Sequence, residues 1–256
     1  MCNPNLLINT DFKNPVNQRG QSEYTDAWKY CIDQWLLGGD GQVYVNDGYL
    51  KIIGAFDQYI NYKVPEGIAI TFSIKLLNGN IYNKTFVMGE EEQTSKIEGT
   101  EIYATLFAGE TPDNSKYTRI RFYFPLQETE SNSVLSVKIE LGSFSTLANE
   151  VVDYAAELRK CQRYLQKGTA SFNTEFEGSV VYIPTGLLEN TMRIAPTVRY
   201  YTKFGEGTVV NGHDNLYGKI NGIFESKINR LPAIDVDNPA KIEDLVICEY
   251  IASAEL

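Results

Sequence analysis

Between Asn5 and Leu147, apolar residues fall on every second position in run after run. In Ile70-Thr71-Phe72-Ser73-Ile74-Lys75-Leu76 apolar and polar side chains alternate, as Ile120, Phe122 and Phe124 do with Arg119, Arg121 and Tyr123. Val137, Ile139 and Leu141 repeat the pattern around Lys138 and Glu140. A period of two sets one side of a segment on a core and the other in solvent, which is the signature of a strand. Turn signals break these runs at Gly38-Gly39-Asp40-Gly41, Asn46-Asp47-Gly48, Pro65-Glu66-Gly67, Asn78-Gly79-Asn80 and Thr111-Pro112-Asp113-Asn114. Many short strands at near-regular spacing predict a β-sandwich or jelly roll over residues 1–148, not an α/β fold. The aromatic balance agrees: 17 Tyr and 12 Phe against 2 Trp favour pleated, half-buried surfaces.

The period then changes. Val151, Tyr154, Leu158, Cys161 and Leu165 are spaced 3, 4, 3 and 4, which predicts a linking helix over residues 149–167. Asn149 or Asp153 can cap its start, and Gly168 is a natural stop. The stripe either packs on a neighbouring sandwich or forms a seam between subunits, since a 3-4 spacing also suits coiled-coil packing. After Gly168 the strand signal returns at Thr169–Phe176, Ser179–Ile183, Thr197–Lys203, Thr208–Asn211, Gly222–Asn229 and Asp244–Tyr250. Asn211-Gly212 and Asn221-Gly222 read as turn dipeptides. Residues 168–256 thus form a smaller C-terminal β-domain, and the fold class is all-β with one helix.

Charge and composition exclude several functions. The net charge is −10 with no basic patch, which argues against nucleic acid and against an anionic membrane surface. The first residues lack a signal peptide, and no apolar run reaches the ~20 residues of a membrane span. Synthesis in the cytosol is expected, and any duty outside the cell needs another exit route, such as lysis. Cys2, Cys31, Cys161 and Cys248 are too scattered for zinc or a disulfide framework, so buried free thiols are expected. The one histidine, His213, sits in a turn-like stretch, and no G-x-S-x-G elbow accompanies it. Gly205-Glu206-Gly207-Thr208 lacks the lysine and spacing of a phosphate loop and reads as a hairpin turn. Asp235-Val236-Asp237-Asn238 opens like a calcium loop, but Ala240 and Val246 stand where glycine and glutamate are required. No pair among the 33 acidic residues is singled out as a glycosidase pair. These features predict no catalytic residue, no metal and no cofactor.

Three patches resemble a known family. Asn5-Leu6-Leu7-Ile8-Asn9-Thr10-Asp11-Phe12, then Asn17-Gln18-Arg19-Gly20, then Asp33-Gln34-Trp35 are similar to the N-L-L-x-N-x-D-F, N-Q-R-G and D-R-W of phage and prophage tail proteins, with Gln34 where Arg is usual. Glu140-Leu141-Gly142 with Thr146, and Glu157-Leu158-Arg159-Lys160-Cys161-Gln162-Arg163-Tyr164, resemble the L-E-x-G-x-x-x-T strand end and E-L-x-x-C-Q-R-Y helix of the same proteins. Met192-Arg193-Ile194-Ala195-Pro196-Thr197-Val198 resembles their M-R-x-x-P-T-V run. The resemblance implies a carbohydrate-binding-module-like jelly roll, a helix and a small β-domain. It also implies a place in the virion tail, often as a homotrimer, with no cofactor.

Two functions follow as expectations. The first is a non-catalytic tail-fibre or tail-tip protein that binds a cell-surface carbohydrate through aromatic faces and polar neighbours. Its candidate contacts are Trp28, Tyr30, Tyr59, Tyr62, Arg121 and Tyr123, with Trp28 foremost because polar residues surround it. A rim residue covering the sandwich edge is the plainer reading of Trp28. The second is a structural connector whose surface meets other phage tail proteins. A capsule depolymerase is the weaker third.

Overall fold

The computed structural model describes residues 3–60, 63–89, 91–107, 118–173, 175–177, 180–182, 192, 197–202, 205–211, 217–223, 234–236 and 245–254. Strand dominates them, and α1 (Tyr154–Cys161) is the one α-helix among them. The chain divides into two compact units, Met1–Leu158 and Arg159–Leu256. No helix among the described residues is long and apolar enough to cross a membrane.

The first unit holds β1 (Glu23–Tyr24), β2 (Leu36–Leu37), β3 (Gln42–Asn46), β4 (Tyr49–Ile60) and β5 (Ala69–Leu76). It continues through β6 (Ile81–Val87), β7 (Gln93–Lys96), β8 (Tyr103–Leu106), β9 (Thr118–Phe124) and β10 (Ser133–Leu141). All pairings are antiparallel, in the order β6-β5-β10-β4-β9-β8-β7. The long β4 belongs to two layers. Its first part, Tyr49–Ile53, pairs with β3, and from Gly54 onward it pairs with β9. The change falls where Gly54 takes a left-handed φ of 66°, open to glycine at little cost. Asp47-Gly48 closes the β3–β4 hairpin, with Gly48 at φ 81°.

The alternating apolar positions meet between the layers. Phe72 of β5 touches Phe122 of β9 edge to face, with centroids 5.6 Å apart. Trp35 is wholly buried, lies flat on Phe56 at 4.2 Å and meets Phe12 at 5.7 Å. Its indole N–H donates to the Asn9 carbonyl at 2.9 Å, which satisfies its one polar atom.

The opposite face of β10 departs from expectation. Lys138 and Glu140 alternate with core residues and so read as solvent-facing, yet both are 0% exposed. The Asn3–Asn5 segment and the stretch after β10 lie over them. Lys138 Nζ donates to the Asn3 carbonyl at 2.6 Å and lies 3.3 Å from Glu150 and 3.9 Å from Glu140. Glu140 accepts from the Thr146 amide and hydroxyl, each at 2.6 Å. Partnering makes burial of these charges tolerable.

The first motif patches converge on one knot. Asn9, buried with φ 59°, donates its amide to the Val16 and Asp33 carbonyls, both at 2.8 Å, and accepts from the Val16 N–H at 2.7 Å. Asp33 in turn accepts from the Gln18 N–H at 3.1 Å and from Arg19 at 3.0 Å. Gln34, standing where the resembling proteins carry Arg, is buried at φ 73°, and its amide nitrogen has no hydrogen-bond partner among the described residues. Tyr24 closes the knot: its hydroxyl donates to Asn17 and accepts from the Gln21 N–H. Burial pushes the Tyr24 phenol up to about 12, with the Gln21 contact opposing. A raised phenol stabilises the fold below its ordinary pKa of 10.0 and loses that contribution as pH climbs towards 12. Urea midpoints of wild type and Tyr24→Phe should therefore converge over that window, the wild type losing more.

The helix is shorter than residues 149–167. Asp153 caps it, accepting from the Ala155 N–H at 2.9 Å, and it ends at Cys161. Val151 precedes it and is 93% exposed, and Leu165 already opens the next strand. That strand, Leu165–Asn173, pairs along its whole length with Leu245–Ser253. Strand pairing overrides the helical period there and removes Gly168 as a helix stop. Only Tyr154, Leu158 and Cys161 of the five-residue stripe share the helix, and Cys161 and Leu165 are buried within the chain.

In the second unit Leu245–Ser253 is also flanked by Thr197–Thr202, with Tyr200 opposite Tyr250. Gly205–Glu206 pairs back on Tyr201–Thr202, so these residues form the returning strand of a hairpin and not its turn. Asn221-Gly222 does not turn the chain. It lies within the strand Tyr217–Ile223, where pairing skips from Ile220 to Gly222, so Asn221 is the extra residue of a bulge. Cys31 and Cys161 are buried free thiols. Tyr62, Cys2 and His213 lie outside the described residues.

Candidate functional site

Four of the six predicted contacts lie on the outward face of the second layer, and a fifth lies at its edge. Partners in an antiparallel ladder share a face. One row therefore runs Tyr30, Leu36, Asp57, Arg121, Thr105, Thr94 across six neighbouring segments. The row above reads Ala55, Tyr123, Tyr103, Lys96, and the row below pairs Tyr59 with Arg119. At ~4.8 Å between strands, the first two rows each span roughly 15 Å or more, the scale of an oligosaccharide and not of a single sugar.

Asp57 is the centre. It is 0% exposed and accepts from Arg121 Nε at 2.7 Å, Arg121 Nη2 at 2.8 Å and Arg119 Nη2 at 2.8 Å. The hydrogen bonds to Asp57 raise the Arg121 pKa further, so its charge is fixed. Beneath lies Phe107, its centroid 4.3 Å from the Arg119 guanidinium carbon and 5.3 Å from that of Arg121. Tyr59 lies 6.0 Å from Arg119. Arg19 sits 5.8 Å from the Tyr30 ring. Rings and guanidiniums hold one another in place, and cation–π contacts of this kind are worth about 0.5–2 kcal/mol.

The upper edge is built by the Gly38–Gly41 loop. Gly38 donates to the Ala55 carbonyl at 2.9 Å, and a Cβ on Gly38 would stand 2.4 Å from the Ala55 Cβ. Asp40 accepts from the Ala55 N–H at 3.2 Å and from the Tyr123 hydroxyl at 2.5 Å. That hydrogen bond holds the Tyr123 phenol above its ordinary pKa, with burial adding to it. Trp28 lies over Gly39, where a Cβ would touch the indole at 3.4 Å. Its backbone is left-handed, φ 60°, and the residue is 63% exposed. A bulky residue with positive φ costs about 1–2 kcal/mol, and such strain concentrates where a side chain is displayed for a ligand.

No protein-family model, curated protein or solved structure matches this chain. What the face can do follows from its own geometry. It offers flat, partly exposed rings (Trp28, and Tyr103 at 44% exposure) beside fixed donors and acceptors. Among the described residues no group of three or more His, Cys, Asp or Glu is arranged to hold a metal ion. Arg119, Phe107, Tyr103, Asp57 and Asp40 were not foreseen as part of the site. Arg119 and Tyr103 could have been found by extending the alternation of Arg121 and Tyr123 one position and one strand. Asp57, a lone acid in the run Ala55-Phe56-Asp57-Gln58, had no sequence signal for its two arginine partners.

Proposed function

We propose that this chain is a non-catalytic tail protein of a phage or prophage, and that it binds a host cell-surface glycan on the outward face of its second layer. The observation that carries the reading is Trp28, held exposed and left-handed over Gly39 beside the Tyr123–Asp40 pair. An indole over C–H groups with acceptors at its margin suits a pyranose ring. The meeting of the Asn9, Asp33 and Trp35 motif residues in one knot supports the family resemblance, because it gives those residues a common architectural reason to occur together.

Trp28→Ala tests the reading. On an array of bacterial surface polysaccharides the wild type should bind at least one member, and the variant should bind it at least about tenfold more weakly, ~1.4 kcal/mol. The urea midpoint should not fall, since the lost side chain is mostly in solvent. Unchanged binding would remove Trp28 from the site.

A second reading, a connector that binds other tail proteins, draws on Phe144 and Val151, which are 79% and 93% exposed. In either case the tail reading takes the protein as a homotrimer. Light scattering after size exclusion should give about three times the 28.9 kDa of one chain, and a monomer counts against a fibre subunit.

A further inference from the structure

We infer that the glycan carries a compact anionic group, a carboxylate or a phosphate, received by Arg121 with Arg119 at the centre of this face. The inference rests on the glycan reading and names its substrate class. Two guanidiniums share one buried carboxylate, so the triad keeps one net positive charge in a chain of −10. Their side chains are 12% and 21% exposed, Arg121 the more open. Arg121 spends Nε and Nη2 on Asp57, and its Nη1 makes no hydrogen bond to the described residues. The planar guanidinium fork matches carboxylate and phosphate oxygens, and here it is already oriented by Asp57 and Phe107. Orientation before binding removes part of the ordering cost of association.

The surroundings narrow the class further. Asp40 and Glu92 lie close enough to act on Arg121, and both are exposed. Asp40 already accepts from Tyr123 and Ala55, and Glu92 from Thr94. These acids and the chain's overall charge repel a polyanion at a distance. A single acidic group among neutral hydroxyls meets Arg121 at short range without that penalty. The ligand is therefore a sparsely charged glycan.

The test follows the arginine Nε–H and tryptophan indole N–H signals of the full chain by NMR during titration with sodium glucuronate, glucose 6-phosphate and methyl glucoside. The Trp28 signal should move with all three sugars. The Arg121 signal should move with one or both acids and stay still with methyl glucoside, and whichever acid moves it identifies carboxylate or phosphate. Arg121→Lys keeps the charge without the fork, and it should weaken acid binding at least fivefold. An unmoved Trp35 signal checks its fold. Acid and neutral sugars moving Arg121 alike, or neither acid moving it, would overturn the inference and leave the glycan reading intact. Trp28 unmoved by every sugar would overturn both.

Discussion

Gly54→Ala is expected to cost the first unit about 2–5 kcal/mol. A Cβ at this position would stand 2.3 Å from the Asp40 carbonyl oxygen and 2.7 Å from its carbon, far inside van der Waals contact. Those neighbours are backbone and cannot rotate away. The left-handed φ of 66° adds ~1–2 kcal/mol for any L side chain, and forced overpacking a further ~1–3 kcal/mol. Gly48→Ala is the control. It also has a positive φ, 81°, but nothing lies within 4 Å of its Cβ, so only the strain remains, about 1 kcal/mol. Urea unfolding of the two variants separates clash from strain. The proposed glycan site should fail with the clash: the Asp40 loop must lift, which breaks its contacts to Ala55 and Tyr123 and tilts the Gly39 platform under Trp28. If Gly54→Ala matches Gly48→Ala in stability, the close approach of loop and strand is wrong.

The strands were legible because period-two alternation reports a buried face directly. β5, β9 and β10 fall on the runs that predict them. What alternation cannot report is whether something later covers the other face. Lys138 and Glu140 look solvated from their own strand, and only segments distant in sequence bury them. The stripe ending at Leu165 satisfied a helical period, yet Leu165 had an open strand edge to join at Ser253, and pairing won. Asn221-Gly222 has turn chemistry, but bulges use the same permissive residues, so dipeptide identity alone does not choose between them. The site was half legible for a similar reason. Tyr30, Tyr59, Arg121 and Tyr123 could be picked as outward-facing polar aromatics or cations, whereas Asp57 became central only when β4 and β9 were set in register.

Lys138→Met should be the second large effect, about 3–5 kcal/mol, although it replaces a charge with a side chain of similar size. The ammonium stands 3.3 Å from Glu150 and 3.9 Å from Glu140 and donates to the Asn3 carbonyl. Without it Glu140, wholly buried, and Glu150, mostly buried, face each other with no cation, and removing one partner of a buried ionic group costs far more than the intact group contributes. A second change separates this cause from lost packing. Lys138→Met/Glu140→Gln removes one of the two anions and restores the cluster's original net charge, and the glutamine carbonyl can still accept from the Thr146 N–H. The pair should therefore recover at least about 1 kcal/mol relative to Lys138→Met, a coupling within the range of contacting residues. Equal stability of the single and double variants would mean that the cost lies in the Asn3 contact and the side-chain stem. In the expected case, hydrogen exchange should rise first in the amides of Leu6 and Ile139, because the first donates to the Ile139 carbonyl and the second to Asn5, on the strand that Lys138 clamps beneath the N-terminal segment.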